Sequence, residues 1–125
     1  MTGSNPFSIE ASEKFKRSLK KLAKVHGNSF VELVTQIVEN LKQDPYPRNY
    51  RQEPLPKKIN LPQGWTFHKL KFKVAKGTSG QIRLMYLVNT SKSVIKLVWI
   101  YTHEQFTKRP DDKDLRSVIQ QILED

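Results

Sequence analysis

Trp65-Thr66-Phe67-His68-Lys69-Leu70-Lys71-Phe72-Lys73-Val74 is the stretch in which the apolar period of the chain changes to two. Leu70, Phe72 and Val74 alternate with Lys69, Lys71 and Lys73, so an extended strand carries an apolar row on one face and a lysine row on the other. The glycine-containing turn Lys76-Gly77-Thr78-Ser79-Gly80 then returns the chain into Ile82, Leu84, Tyr86 and Val88, alternating with Arg83, Met85 and Leu87. A hairpin is expected. A third strand follows from about Val94 to Thr102, with Ile95, Leu97, Trp99 and Tyr101 on one face and Lys96, Val98 and Ile100 on the other. Both faces are largely apolar, which places this strand centrally or under a second layer such as the C-terminal helix.

On the N-terminal side, a short extended stretch from Pro6 to Glu10 leads to Ser12, a good N-cap. Phe15, Leu19, Leu22 and Ala23 recur at helical spacing up to Gly27, which can close the helix in the left-handed conformation. Ser29 and Glu32 read as a capping box for a second helix whose stripe is Phe30, Leu33, Val34, Ile37 and Leu41. The two helices should form an antiparallel hairpin. Asp44 to Pro62 holds five prolines and reads as a long irregular connection. After the strands, Asp111 or Asp112 can cap a last helix carrying Leu115, Val118, Ile119, Ile122 and Leu123 on one side.

The expectation is one α+β domain, an N-terminal helical hairpin packed on one face of a small antiparallel sheet with a C-terminal helix. Its parts are a disordered stretch 1–6, the hairpin 12–43, the Pro-rich connection 44–64, the sheet 65–103 and the helix 111–124. At 125 residues the chain can bury a sufficient core without metal or disulfide. It has no cysteine, hence no thiolate site and no cysteine nucleophile. No span resembles a membrane helix, and the polar start Met1-Thr2-Gly3-Ser4-Asn5-Pro6 is unlike a signal peptide, so no membrane partner and a cytoplasmic location are expected.

Charge narrows the partner. The net charge is +10. Of 22 basic residues, nine lie between Pro54 and His103, a span with no acidic residue: Lys57, Lys58, Lys69, Lys71, Lys73, Lys76, Arg83, Lys92 and Lys96. Such a field favours a polyanion, RNA above all. The lysine row with Arg83 on the neighbouring strand can track phosphates; the other reading is an edge strand guarded by lysines against aggregation. Parity puts Lys69, Lys71 and Arg83 in one groove that His103 closes, while Lys57, Lys58, Lys76, Lys92 and Lys96 fall in loops or elsewhere on the surface. The run Lys14, Lys16, Arg17, Lys20, Lys21 and Lys24 in the first helix reads as a solvated face that can also help recruit RNA.

His103 ends the third strand, and histidine is a residue type suited to proton transfer in phosphodiester chemistry, although a histidine capping a strand end would look the same. His68 shares the parity of Leu70 and is expected to be partly buried; neither it nor His26 is given a role. Nucleotide-binding loops, zinc motifs, calcium loops and acidic clusters suited to two-metal catalysis are absent from the sequence. Catalysis, if present, is expected to need no metal and no cofactor. RNA supplies its own 2′-hydroxyl nucleophile, and a base, cations on the phosphorane and an acid for the leaving oxygen complete the set.

Phe15-Lys16-Arg17-Ser18-Leu19-Lys20-Lys21-Leu22, His68-Lys69-Leu70-Lys71-Phe72, Ile82-Arg83-Leu84-Met85-Tyr86-Leu87-Val88 and Val98-Trp99-Ile100-Tyr101-Thr102-His103-Glu104-Gln105-Phe106 together resemble, in order and spacing, the RelE/ParE superfamily of bacterial toxin–antitoxin toxins. The likeness covers most of residues 7 to 109. It implies a small ribonuclease-like fold, cleavage of mRNA on the ribosome and inhibition by an antitoxin that wraps the toxin. It also implies Lys69 or Lys71 as base, Arg83 as transition-state stabiliser and His103 as acid, with Lys73, Tyr101, Lys108 and Arg109 as RNA contacts, Tyr101 by stacking or as an alternative acid. The chain is longer than many members, the extra length lying in the Pro-rich connection and the last helix. Phe106 has no hydroxyl to act as the family's final tyrosine. Two other functions fit such a chain: a toxin of the same fold that binds DNA gyrase and cuts nothing, and a non-catalytic RNA-binding protein. The Lys69, Lys71, Arg83 and His103 set argues against the gyrase binder.

Overall fold

In a computed structural model, residues 6–74, Gly77 and residues 80–124 are described. Residues 1–5, for which disorder is expected, and Lys76 with most of its turn lie outside them. The element order is β1 (Ser8–Ala11), α1 (Glu13–His26), α2 (Asn28–Gln43), β2 (Tyr50–Gln52), β3 (Trp65–Lys73), β4 (Gln81–Asn89), β5 (Val94–Thr102) and α3 (Asp112–Glu124). The strands form one sheet in the order β1-β5-β4-β3-β2. This is the expected α+β architecture with two additions. β1 runs parallel to β5, which makes the sheet mixed, and the Pro-rich connection contributes β2, antiparallel to β3.

α1 starts as read from the sequence: Ser12 Oγ accepts the Phe15 amide proton at 2.9 Å and donates to Val98 O at 2.6 Å, tying the cap to β5. The start of α2 differs. Asn28 already belongs to that helix, so Ser29 lies inside it and makes no capping box with Glu32. Gly27 alone joins the helices, with φ 84° and ψ −168°. Its φ is positive, as expected of a glycine joint, but its ψ is extended rather than left-handed helical, which turns the chain sharply enough to leave no room for a separate capping residue.

The helices do not share one face of the sheet. Phe15 and Leu22 of α1 and Phe30, Val34 and Leu41 of α2 pack with Leu70, Leu84, Tyr86, Val88, Ile95 and Ile100. Leu115, Ile119 and Ile122 of α3 pack with Phe67, Met85, Leu87, Val98, Trp99 and Tyr101 on the opposite face. The reason is visible in β5, which lies between β1 and β4 and is apolar on both sides, so that each side must be covered. Simple alternation also fails there. Met85 pairs with Trp99 while Tyr86 pairs with Leu97, so Val98 is an extra residue, a β-bulge. Beyond it the parity reverses: Trp99 and Tyr101 join the α3 face, and Ile100 joins Ile95 and Leu97 on the other.

Lys96 is a further departure. Expected on the surface, it is buried, with Nζ donating to Ile122 O at 2.7 Å and lying 3.4 Å from Glu10. The last turn of α3 offers carbonyls without helical partners, and a lysine reaching up from β5 satisfies one of them.

Candidate active site

The hairpin of β3 and β4 sets the site. Lys69 faces Met85, Lys71 faces Arg83 and, across the next pair, Arg83 faces Tyr101. Because cross-strand partners point to the same side, Lys71, Arg83 and Tyr101 make one row on the α3 face. The bulge in β5 matters here, since it turns the end of that strand so that His103, whose amide donates to Gln81 O at 2.9 Å, reaches the same side.

A cleft of about 880 Å³ opens along this row. Lys69, Lys71, Arg83 and His103 all line it, as do Lys108 and Arg109. Four residues chosen from parity and position are thus brought together. Lys57, expected to give only general attraction, lies at the cleft as well. Lys73, at the far end of β3, does not line it and borders a separate hollow beside His26 and Phe30. Tyr101 is 0% exposed and packs edge-on against Phe106 at 5.6 Å, so it has no free face on which a base could stack. Its hydroxyl has no partner among the described residues, and burial, with Glu53 adding to it, pushes its ionisation well above the usual tyrosine range.

Lys69 and Lys71 do not stand at a free edge. β2 covers β3 at His68 to Leu70, and Asn49 Nδ2 donates to Lys71 O at 2.6 Å just beyond. Lys69 and Lys71 face a cleft, where a solubility role would be served less well than at a free edge.

The two lysines differ in their surroundings. Glu53, one residue before the acid-free span, has a side chain only 6% exposed and holds Lys69 Nζ at 3.0 Å through Oε1 and Arg109 Nη1 at 3.0 Å through Oε2. Arg109 also donates to Pro54 O at 2.7 Å and to Asp112 Oδ1 at 3.0 Å. It is therefore engaged within the protein rather than presented to a ligand. Among the described residues, neither Lys71 nor Arg83 has a carboxylate within ion-pair distance. Partial desolvation, then the Arg83 guanidinium, with Arg51 and Lys69, holds the Lys71 ammonium below its ordinary value; Glu53 acts in the opposite direction. Asp112 is drawn below the usual carboxylate range first by the Lys57 amide and then by Arg109, against some desolvation.

Glu53 was not visible as a site residue in the sequence. Its only local signal is its position two residues after Arg51, on the parity that β2 turns towards Lys69. Among the described residues no group of three or more histidines and carboxylates is arranged to hold a metal ion.

His68, on the other face, is almost wholly buried rather than partly so. Its Nε2 lies 2.7 Å from Thr66 Oγ1, and the rings of Tyr46, Tyr50 and Tyr86 surround it at 5.3 to 5.6 Å. Desolvation lowers its pKa to about 4.

No protein-family model matches the chain, and no curated protein matches it in sequence. Solved structures do match its fold. A chain of the archaeal RelE–RelB complex from Pyrococcus horikoshii superimposes with a TM-score of 0.51 and 18% identity, over 78% of this chain and 94% of that one. A mutant of the E. coli toxin RelE in the free state gives 0.50 and 18%, over 82% and 88%. The fold is RelE-like, as the sequence resemblance implies.

Proposed function

We propose that the chain is the toxin of a toxin–antitoxin pair, an endoribonuclease that cuts mRNA in the cytoplasm, on the ribosome, and so inhibits translation. The observation that carries this reading is the meeting of Lys71, Arg83 and His103 at one cationic cleft in a RelE-like fold. Lys71 takes the proton of the 2′-hydroxyl, for which a lowered ammonium pKa raises the fraction of free amine near neutrality. The 2′-oxygen bonds to phosphorus, and Arg83 stabilises the charge that develops on the phosphorane oxygens with a planar pair of donors. As the bond from phosphorus to the 5′-oxygen breaks, His103 gives that oxygen a proton. The products are a 2′,3′-cyclic phosphate and a 5′-hydroxyl end. This chemistry calls on no metal or cofactor.

Lys69, tied to Glu53, supplies fixed positive charge, while Lys57 and Lys108 add to the attraction at the rim. The expected antitoxin is a protein whose acidic residues match this cleft, in keeping with the RelE–RelB pairing of the Pyrococcus horikoshii structure.

Expression of the chain alone tests the reading. Growth arrest with mRNA cuts mapped by primer extension, both lost in Arg83→Ala and His103→Ala, is the expected result. Arrest with intact mRNA and blocked DNA supercoiling would instead identify a gyrase binder, and RNA binding without arrest would identify a non-catalytic protein.

A further inference from the structure

Glu53 is an unusual neighbour for a site that must hold phosphate. Its amide donates to Phe67 O at 2.9 Å, which carries the pairing of β2 one residue past Gln52 and turns the carboxylate towards the cleft. There it is almost fully buried between Lys69 and Arg109, one cation on each oxygen. A buried charge cluster of this kind is often no more stabilising than apolar residues of the same volume, so its presence needs a reason other than stability. Geometry supplies one. Arg109 is locked on three sides, by Glu53, the Pro54 carbonyl and Asp112, which leaves the cluster rigid at the mouth of the cleft.

We propose that Glu53 is a positioning residue: it ties Lys69 and Arg109 in place as fixed cations, so that Lys71, without a carboxylate partner, is the lysine that exchanges a proton with substrate. The proposal rests on the ribonuclease reading. Lys71 is faced by Lys69 on its own strand, by Arg51 of β2, by Arg83 of β4 and by Glu53 beyond β2, and His103 lines the same cleft. Of these, Glu53 is the one negative group, and the one that supports the Lys71 ammonium.

The test is a pair of measurements on Glu53→Gln and Glu53→Asp, with folding checked by circular dichroism. In the pH–rate profile of RNA cleavage, Glu53→Gln is expected to lower the maximal rate by roughly 10- to 100-fold, the scale of lost positioning, and to move the acid limb to lower pH. The sign follows from removing the group that raises the Lys71 pKa. Glu53→Asp keeps the charge and should leave the limb in place with an intermediate rate. In parallel, the titration of the Lys71 side chain followed by NMR should fall in Glu53→Gln and hold in Glu53→Asp. A folded Glu53→Gln protein with unchanged rate and unchanged titration overturns the proposal. So does complete loss of the limb with activity as low as Lys71→Ala, which would make Glu53 itself the base. A wild-type chain that cuts no RNA sinks the ribonuclease reading instead, while the NMR titration still reports whether Glu53 acts on Lys71. Should Glu53→Gln not fold, Glu53→Asp decides the point: a lowered rate with the Lys71 titration held supports it, and an unchanged rate overturns it.

Discussion

Lys71 on β3 stands directly opposite Arg83 on β4. Like charges at such a position repel and cost the sheet roughly 0.2 to 1 kcal/mol relative to a neutral pair. With no carboxylate within ion-pair distance of either among the described residues, the repulsion is offset only at longer range, by Glu53.

Stability and activity should therefore separate at this pair. Lys71→Met and Arg83→Met are expected to leave stability unchanged or raise it by up to about 1 kcal/mol in urea unfolding. The same changes should cut RNA cleavage by about 10²- to 10³-fold, the scale of losing a charge-stabilising or proton-transferring group. A variant that loses stability and activity together would show that the pair holds the fold rather than the chemistry.

The pH profile should respond to a residue that touches no substrate. Arg51 lies opposite Lys69 on β2 and helps to depress the Lys71 pKa. Arg51→Gln removes a positive neighbour, so the ammonium loses its proton less easily and the acid limb of the cleavage profile shifts to higher pH. Stopped assays across pH 6 to about 10 would detect it; a shift downward contradicts the assignment of Lys71 as base.

His68 makes a stability prediction with a defined window. Its pKa falls from 6.5 to about 4 on folding, so the unfolded chain binds the proton more readily between those values. The contribution is fully present above pH 6.5 and is lost as pH falls from 6.5 towards 4. The loss should reach about 3 kcal/mol at most. Urea unfolding at pH 7 and pH 4.5 should show a larger drop in the wild type than in His68→Phe, and equal drops would remove His68 from the account.

Lys96 should matter more than a surface lysine does. Lys96→Ala leaves the Ile122 carbonyl without its charged donor, at a cost of about 2 kcal/mol. Lys96→Met loses the ammonium over the Trp65 ring as well but keeps most of the buried stem, and should cost less. Hydrogen exchange in the last turn of α3 should quicken in both.

Much of the fold is local and was therefore legible. Alternation at 65–74 and 82–88 fixes the hairpin and the face shared by Lys69, Lys71 and Arg83, because side chains along a strand repeat every two residues. The spacing at 15–23, 30–41 and 115–123 fixes three amphipathic helices. What the sequence could not convey depends on partners distant in the chain. The bulge at Val98 arises from how β5 fits β4, and by reversing parity it buries Tyr101 and sends His103 to the cleft. β2 exists only because β3 offers it an edge. Lys96 is buried only because α3 ends above it. Between Pro54 and His103 the sequence by itself determined a cationic face, since parity and charge need no other segment. That one of its lysines is tied and the other is not was decided by the tertiary structure, which brings Glu53 and Arg109, 56 residues apart, to 3.0 Å beside Lys69.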